Sequence, residues 1–202
     1  MPRTEWANQE IREQRQAQIR AAAARLFAHN GYVGTRIEDI AHAVSMSKGL
    51  LYHYFGSKAE LYTTLVDRAS RGTVQLFEDA MNRPGTAAER LRWLVTQTLE
   101  GLTEQPDMFM VVMQAFASDA VPVKAREQAI RFARQAQDLM GTFIREGQQA
   151  DEVIAGDPEQ LALLLGSCIQ GLAVSHALAG AVPPITDALI GLFTGENGAS
   201  VT

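Results

Sequence analysis

Apolar residues in this chain recur at the period of a helix and at no other. Ile19, Ala22, Ala23, Leu26 and Phe27 fall at i, i+3, i+4, i+7 and i+8, one stripe along a helix. Ile37, Ile40, Ala41 and Val44 repeat the spacing. No stretch shows sustained two-residue alternation with β-branched enrichment, so strands are not expected. The punctuation agrees. Asn30-Gly31 stops a first helix over about 10–29. Thr35, with Glu38 three residues on, reads as the N-cap and capping box of a second helix. Ser45-Met46-Ser47 breaks that helix, a short third follows over about 47–54, and Ser57 with Glu60 opens a fourth running to about 81. Arg83-Pro84-Gly85-Thr86 is the clearest linker. Amphipathic segments then follow at roughly 87–103, 107–118, 123–148, 158–179 and 185–194, punctuated by Gln105-Pro106, Val121-Pro122, Asp157-Pro158 and Pro183-Pro184.

Residues 35–55 form a capped helix, a tight turn and a second short helix, the size and layout of a DNA-binding helix-turn-helix. Leu51 and Phe55 are four apart and anchor the second helix inward. Lys48 and Tyr52 form a neighbouring stripe, and Gly49 and His53 a third. Gly49 removes bulk where a helix approaches DNA closely. Lys48 and Lys58 suit phosphates, and the hydroxyls of Tyr52 and Tyr54 can donate to them. A net charge of −5 runs against a nucleic-acid partner, but it is unevenly spread. Residues 1–71 carry ten Lys/Arg and seven Asp/Glu, the remainder eight and sixteen. The single cysteine, Cys168, excludes an intramolecular disulfide and fits a reducing, cytoplasmic setting. Residues 1–18 are polar and charged, unlike a secretory leader.

The stretch Gly31-Tyr32, Thr35, Ile37-Glu38-Asp39-Ile40-Ala41 and then SKGLLYHYFGSKAEL over 47–61 resembles the TetR/AcrR family of transcriptional regulators. The resemblance covers about residues 15–66 and implies a division of the chain. Residues 1–56 would form the helix-turn-helix DNA-binding domain, and 57–202 an all-helical ligand-binding and dimerisation domain, about nine helices in total. It implies DNA contacts by Thr35 and Arg36 at the start of the second helix. Ser47, Lys48, Gly49 and Leu50 would lie at or in the major groove, Tyr52, His53 and Tyr54 would touch backbone or bases, and Lys58 would bind phosphate. Two positions depart from the family pattern. Ser45 stands in the turn where Gly is frequent, and Leu50 stands where Thr or Ser is frequent. Leu50 can meet a thymine methyl but cannot donate a hydrogen bond.

Residues 161–186 contain no Lys, Arg, Asp or Glu over 26 positions, a length that reaches a membrane span. Gln170, His176, Ser167, Ser175 and Pro183-Pro184 interrupt the run, and no basic flank orients it, so a membrane role is not expected. A helix apolar all round is better buried on two sides. Leu161, Leu164, Leu165, Cys168 and Leu172 are assigned to the chain's own core. Leu163, Gln170, Val174 and Leu178, with Ile185 and Leu189 of the next helix, are assigned to a partner chain. The resemblance agrees, implying a two-fold homodimer that offers two recognition helices to a palindromic operator. Met108, Phe109, Met110, Met113, Phe116, Phe132, Met140 and Phe143 crowd the middle segments. Thioethers and aromatics suit an adaptable apolar pocket, although Met and Phe at helical spacing are more often plain core. Candidate pocket residues are Trp93, Gln97, Met110, Met113, Gln114, Phe132 and Phe143. No Gly-rich phosphate loop, paired-His helix or nucleophile elbow appears, and the four histidines and one cysteine are too scattered for a metal site. No catalytic residue, metal or cofactor is expected. A ligand-responsive repressor released by a small, largely apolar effector is favoured over an enzyme or a helical scaffold.

Overall fold

The computed structural model describes residues 2–179 and 185–194, with side chains over 6–176 and 185–194. The described elements are helices in the order α1 (Pro2–Gly34), α2 (Ile37–Ala43), α3 (Lys48–Tyr54), α4 (Lys58–Met81), α5 (Ala87–Glu104), α6 (Pro106–Ala117), α7 (Val123–Gln149), α8 (Pro158–Ala179) and α9 (Thr186–Thr194). The stop signal at Asn30-Gly31 operates, because Gly31 takes φ 71, a backbone that L side chains rarely adopt. α1 begins at Pro2, well ahead of its apolar stripe, which opens at Ile19. Trp6 and Ile11 on this extension are exposed, so it forms without burying them.

Two compact units emerge. The first takes the described residues up to Ala69 together with Asp107–Ala129. Ile19, Ala23 and Phe27 of α1, Ile37 and Ile40 of α2, Leu51 of α3 and Leu61, Leu65 and Val66 of α4 build its core with Val111 and Ala115 of α6. Phe27, Tyr32 and Tyr62 cluster, with Tyr62 5.0 Å from Phe27 and 5.1 Å from Tyr32 between ring centroids. Such edge-to-face pairs add to simple burial. α6 is fastened to this unit by polar bonds as well. Tyr62 Oη donates to the Val111 carbonyl (3.0 Å), Gln114 Nε2 donates to the Ala28 carbonyl (3.0 Å), and His29 lies 3.6 Å from Asp107.

The second unit is Ser70–Pro106 and the described residues from Ile130 onward. α5 packs on α8 and α9 around Leu91, Leu94, Val95, Phe143, Ile144, Leu165, Ile169 and Ile190. Thr86 and Glu89 form a capping box at the start of α5, after the expected linker. Arg90 binds the Met81 carbonyl at 3.0 Å and Glu146 at 3.1 Å, tying the end of α4 and α7 to α5. Gly147 allows α7 its close approach to the following loop, since a Cβ there would collide with Val153. These packing units do not coincide with the expected 1–56 and 57–202 division.

α8 corrects the assignment of its two faces. Ala162, Leu165, Ile169 and Ala173 are the buried stripe, whereas Leu164 and Cys168 point to solvent. A helix apolar on every side offers no polar face to fix its rotation, so spacing alone left the phase open. No helix among the described residues is long and apolar enough to cross a membrane.

Candidate nucleic-acid interface

The first unit presents α3 outward. Ser47 caps it, its Oγ accepting from Leu50 N–H at 3.2 Å. Leu51 is fully buried and Phe55 nearly so, which leaves Lys48, Gly49, Leu50, Tyr52 and His53 exposed and Tyr54 half-buried. Leu50 is 44% and Tyr52 40% exposed, with the Lys48 ammonium 5.9 Å from the Tyr52 ring centroid. A Cβ on Gly49 would meet nothing within 4 Å. The protein's own packing therefore does not require glycine there, although glycine, here the second residue of α3, weakens a helix relative to alanine by up to about 1 kcal/mol. The turn before α3 carries Ser45 at φ 54, so the family-atypical serine is held in the left-handed region that glycine enters freely.

Capping at α2 differs from the expectation. Thr35 is fully buried and its hydroxyl lies 2.8 Å from the Gly31 carbonyl and 3.1 Å from the Leu26 carbonyl. It secures the end of α1 and is closed to a phosphate. The N-cap is Arg36, exposed, whose backbone N–H donates to Asp39 Oδ2 at 3.1 Å. The box has moved one residue along, because Thr35 found stronger employment among the α1 carbonyls. Glu38, displaced from capping, reaches across the turn to Lys48 Nζ at 2.5 Å. The Lys48 hydrogen bond holds the Glu38 carboxyl below the usual carboxylate range, and Glu38 in turn raises Lys48.

Lys58 also departs from its expected role. Its Nζ donates to the Tyr32 carbonyl at 2.8 Å and the Thr35 carbonyl at 2.9 Å, and sits 4.3 Å from the Tyr32 ring centroid. The ammonium thus satisfies carbonyls left over where α1 ends. Phosphate would have to compete for it. Glu38, which the sequence assigned to the capping box, is the neighbour of this face whose role sequence reasoning missed. Ten residues separate Glu38 from Lys48, a spacing with no local signal.

The pocket candidates divide between the units. Met110, Met113 and Gln114 are half-buried in the first; Gln114 keeps a buried Oε1 without a partner. Trp93, Gln97 and Phe132 are half-buried in the second, with the Arg83 guanidinium 4.7 Å from the Trp93 ring centroid and Gln97 donating to Glu100. Phe143 is a core side chain, 1% exposed. Among the partner-chain candidates Leu163, Gln170 and Val174 are exposed and Ile185 is half-buried. Leu189 is 5% exposed and turns into its own core, and the Leu178 side chain lies outside the described residues. An open apolar groove between α8 and α9 is lined by Cys168, Gly171, Leu172, Ile185, Ala188, Leu189 and Leu192. Among the described residues no group of three or more His, Cys, Asp or Glu is placed to hold a metal ion.

An all-helical chain whose capped second and third helices expose a basic, glycine-containing face belongs to the class of helix-turn-helix DNA-binding proteins. Residues 19–65 match the family described as "Bacterial regulatory proteins, tetR family", and residues 84–174 match "Tetracyclin repressor-like, C-terminal domain". The chain is a member of the TetR family of transcriptional regulators, a family of DNA-binding proteins and not of enzymes. It is 30% identical over 100 residues to the transcriptional repressor AcnR of Corynebacterium diphtheriae, covering 45% of this chain and 50% of that one. The match spans half or less of the first curated relatives. The fold is similar to the fatty acid degradation regulator FadR of Bacillus halodurans (TM-score 0.76, 17% identity, 93% of this chain and 97% of that one). It is also similar to AibR, solved with isovaleryl coenzyme A and operator DNA (TM-score 0.69, 20% identity, 89% and 98%). At those identities the likeness concerns the fold alone.

Proposed function

We propose that this regulator acts as a homodimeric repressor in the cytoplasm, binds a palindromic operator through residues 1–56, and is released by a small, largely apolar effector bound within 57–202. The observation that carries the DNA reading is the outward face of α3. It keeps a helix-weakening Gly49 beside exposed Lys48, Leu50 and Tyr52, none of which the fold requires there. Lys48 and Arg36 would meet phosphates, Ser47, Gly49 and Leu50 would meet base edges or the thymine methyl, and Tyr52, His53 and Tyr54 would flank them. Thr35 and Lys58 would act chiefly by setting the angle of α2 through α1.

The dimer reading rests on the α8–α9 groove and on exposed Leu163, Leu164, Val174 and Leu192, apolar area that a second copy would cover. Two-fold symmetry would then set two α3 helices about 34–36 Å apart for adjacent half-sites. The repressor sign is supported by AcnR; AibR, solved with isovaleryl coenzyme A and operator DNA, shows that this fold can take an effector, and the apolar character of the effector rests on the Met and Phe side chains alone. An effector shifts the equilibrium only by its difference in affinity between the DNA-competent and incompetent states. The route is α4, which starts at Lys58, and α6, bonded to α1 and α4 through Gln114 and Tyr62. Selection of bound duplexes from a random pool tests the whole reading. The expected result is a palindrome whose protection is lost in Lys48→Ala; recovery of no preferred sequence would overturn it.

A further inference from the structure

We propose that Glu38 sets the strength of sequence-independent DNA binding, by holding the Lys48 ammonium in an ion pair that a phosphate must displace. The inference rests on the reading of α3 as the DNA-facing helix. Its basis is the geometry across the turn. Glu38 lies on the exposed face of α2 and reaches Lys48 Nζ at 2.5 Å, and both side chains remain more than half exposed. Arg36, the other basic side chain expected at the backbone, also lies close enough to act on the Glu38 charge. Glu38 is thus paired with Lys48, and feels the Arg36 charge as well, on the face that duplex would cover. Asp39 occupies the capping-box place at α2, and although a carboxylate in the first turn of α2 is favourable in itself, that does not call for the pair with Lys48.

Ion pairs this open to water are weak enough for a phosphate to replace them. Replacement has two consequences. Lys48 must give up Glu38 before it contributes its share of counterion release, and the freed carboxylate then repels any phosphate nearby. Both act on the backbone and neither on a base edge, so the restraint applies alike to every sequence. A searching regulator gains from this, because weaker hold on arbitrary duplex leaves more of its binding to base contacts.

The test uses the full chain and two unrelated random-sequence duplexes, with affinity followed against salt concentration. Glu38→Gln keeps the size and polarity of the side chain and removes its charge. It is expected to tighten binding about 3- to 10-fold to both duplexes at low salt, and to steepen the slope of log affinity against log salt by about one. In a Lys48→Gln background that gain should fall to half or less. Glu104→Gln, an exposed acid of α5, changes the net charge equally and should leave the slope unaltered. An unchanged slope in Glu38→Gln, a gain undiminished without Lys48, or an equal gain in Glu104→Gln each overturns the inference while leaving the DNA reading intact. If Lys48→Gln alone fails to flatten the wild-type slope, the phosphate role of Lys48 falls, and the inference with it. Matched thermal unfolding of the variants excludes a folding defect as the cause.

Discussion

Gly49 separates stability from function at a single residue. A methyl group there meets open space in the protein and strengthens a seven-residue helix. Gly49→Ala should therefore raise unfolding free energy by about 0.5–1 kcal/mol in a denaturant titration and weaken duplex binding at the same time. Movement of both in the same direction would argue against close approach of a ligand to α3. Ser45 gives the opposite case. Its left-handed backbone is strained for a serine, so Ser45→Gly should raise the melting temperature by a few degrees, worth about 0.5–1 kcal/mol, with the turn unchanged. Neither residue touches the core, and each is governed by its own φ or its missing Cβ. Such effects are readable one position at a time. Thr35 is not, because its hydroxyl answers to α1 carbonyls four and nine residues away.

Between elements, Lys58 and Lys48 look alike in sequence and differ in structure. Lys58 closes the end of α1, so Lys58→Met should cost about 1–2 kcal/mol of stability from two charge-assisted bonds, partly recovered by solvent. Lys48→Met should leave the melting curve in place and weaken only duplex binding. Tyr62 provides a pH handle on the contact between α4 and α6. Burial, and secondarily the neighbouring Tyr32, push its phenol well above the usual value. A raised pKa means that the folded state keeps a proton the unfolded chain gives up. Stability from Tyr62 is therefore full below about pH 10 and declines as pH rises beyond it. Tyr62→Phe should flatten that alkaline loss in urea titrations between pH 9 and about 11, while lowering stability at pH 7 by leaving the Val111 carbonyl without its donor. An alkaline limb of unchanged steepness would remove Tyr62 from the account.

Across the whole molecule, the apolar groove of α8 and α9 is the surface on which the dimer reading turns. Leu192 is 62% exposed beside that groove. Leu192→Glu should convert a dimer to monomers in sedimentation and cost duplex affinity far more than stability, since the unfolded chain exposes the same side chain. A variant that sediments as the wild type would move the interface elsewhere. Much of this architecture was legible beforehand. The helix order, the linker at residues 83–86, the Ser57 cap and the burial of Leu51 and Phe55 follow from residues within about one turn of each other, and a helix is a local object whose hydrogen bonds span four residues. What lay beyond one turn was decided by tertiary packing. The Glu38–Lys48 pair, the withdrawal of Lys58 into the end of α1 and the rotation of α8 each depend on which surfaces meet in space. Periodicity marks the apolar face of a helix, but it carries no information about the partner, and a helix apolar all round leaves even the face to be chosen by its neighbours.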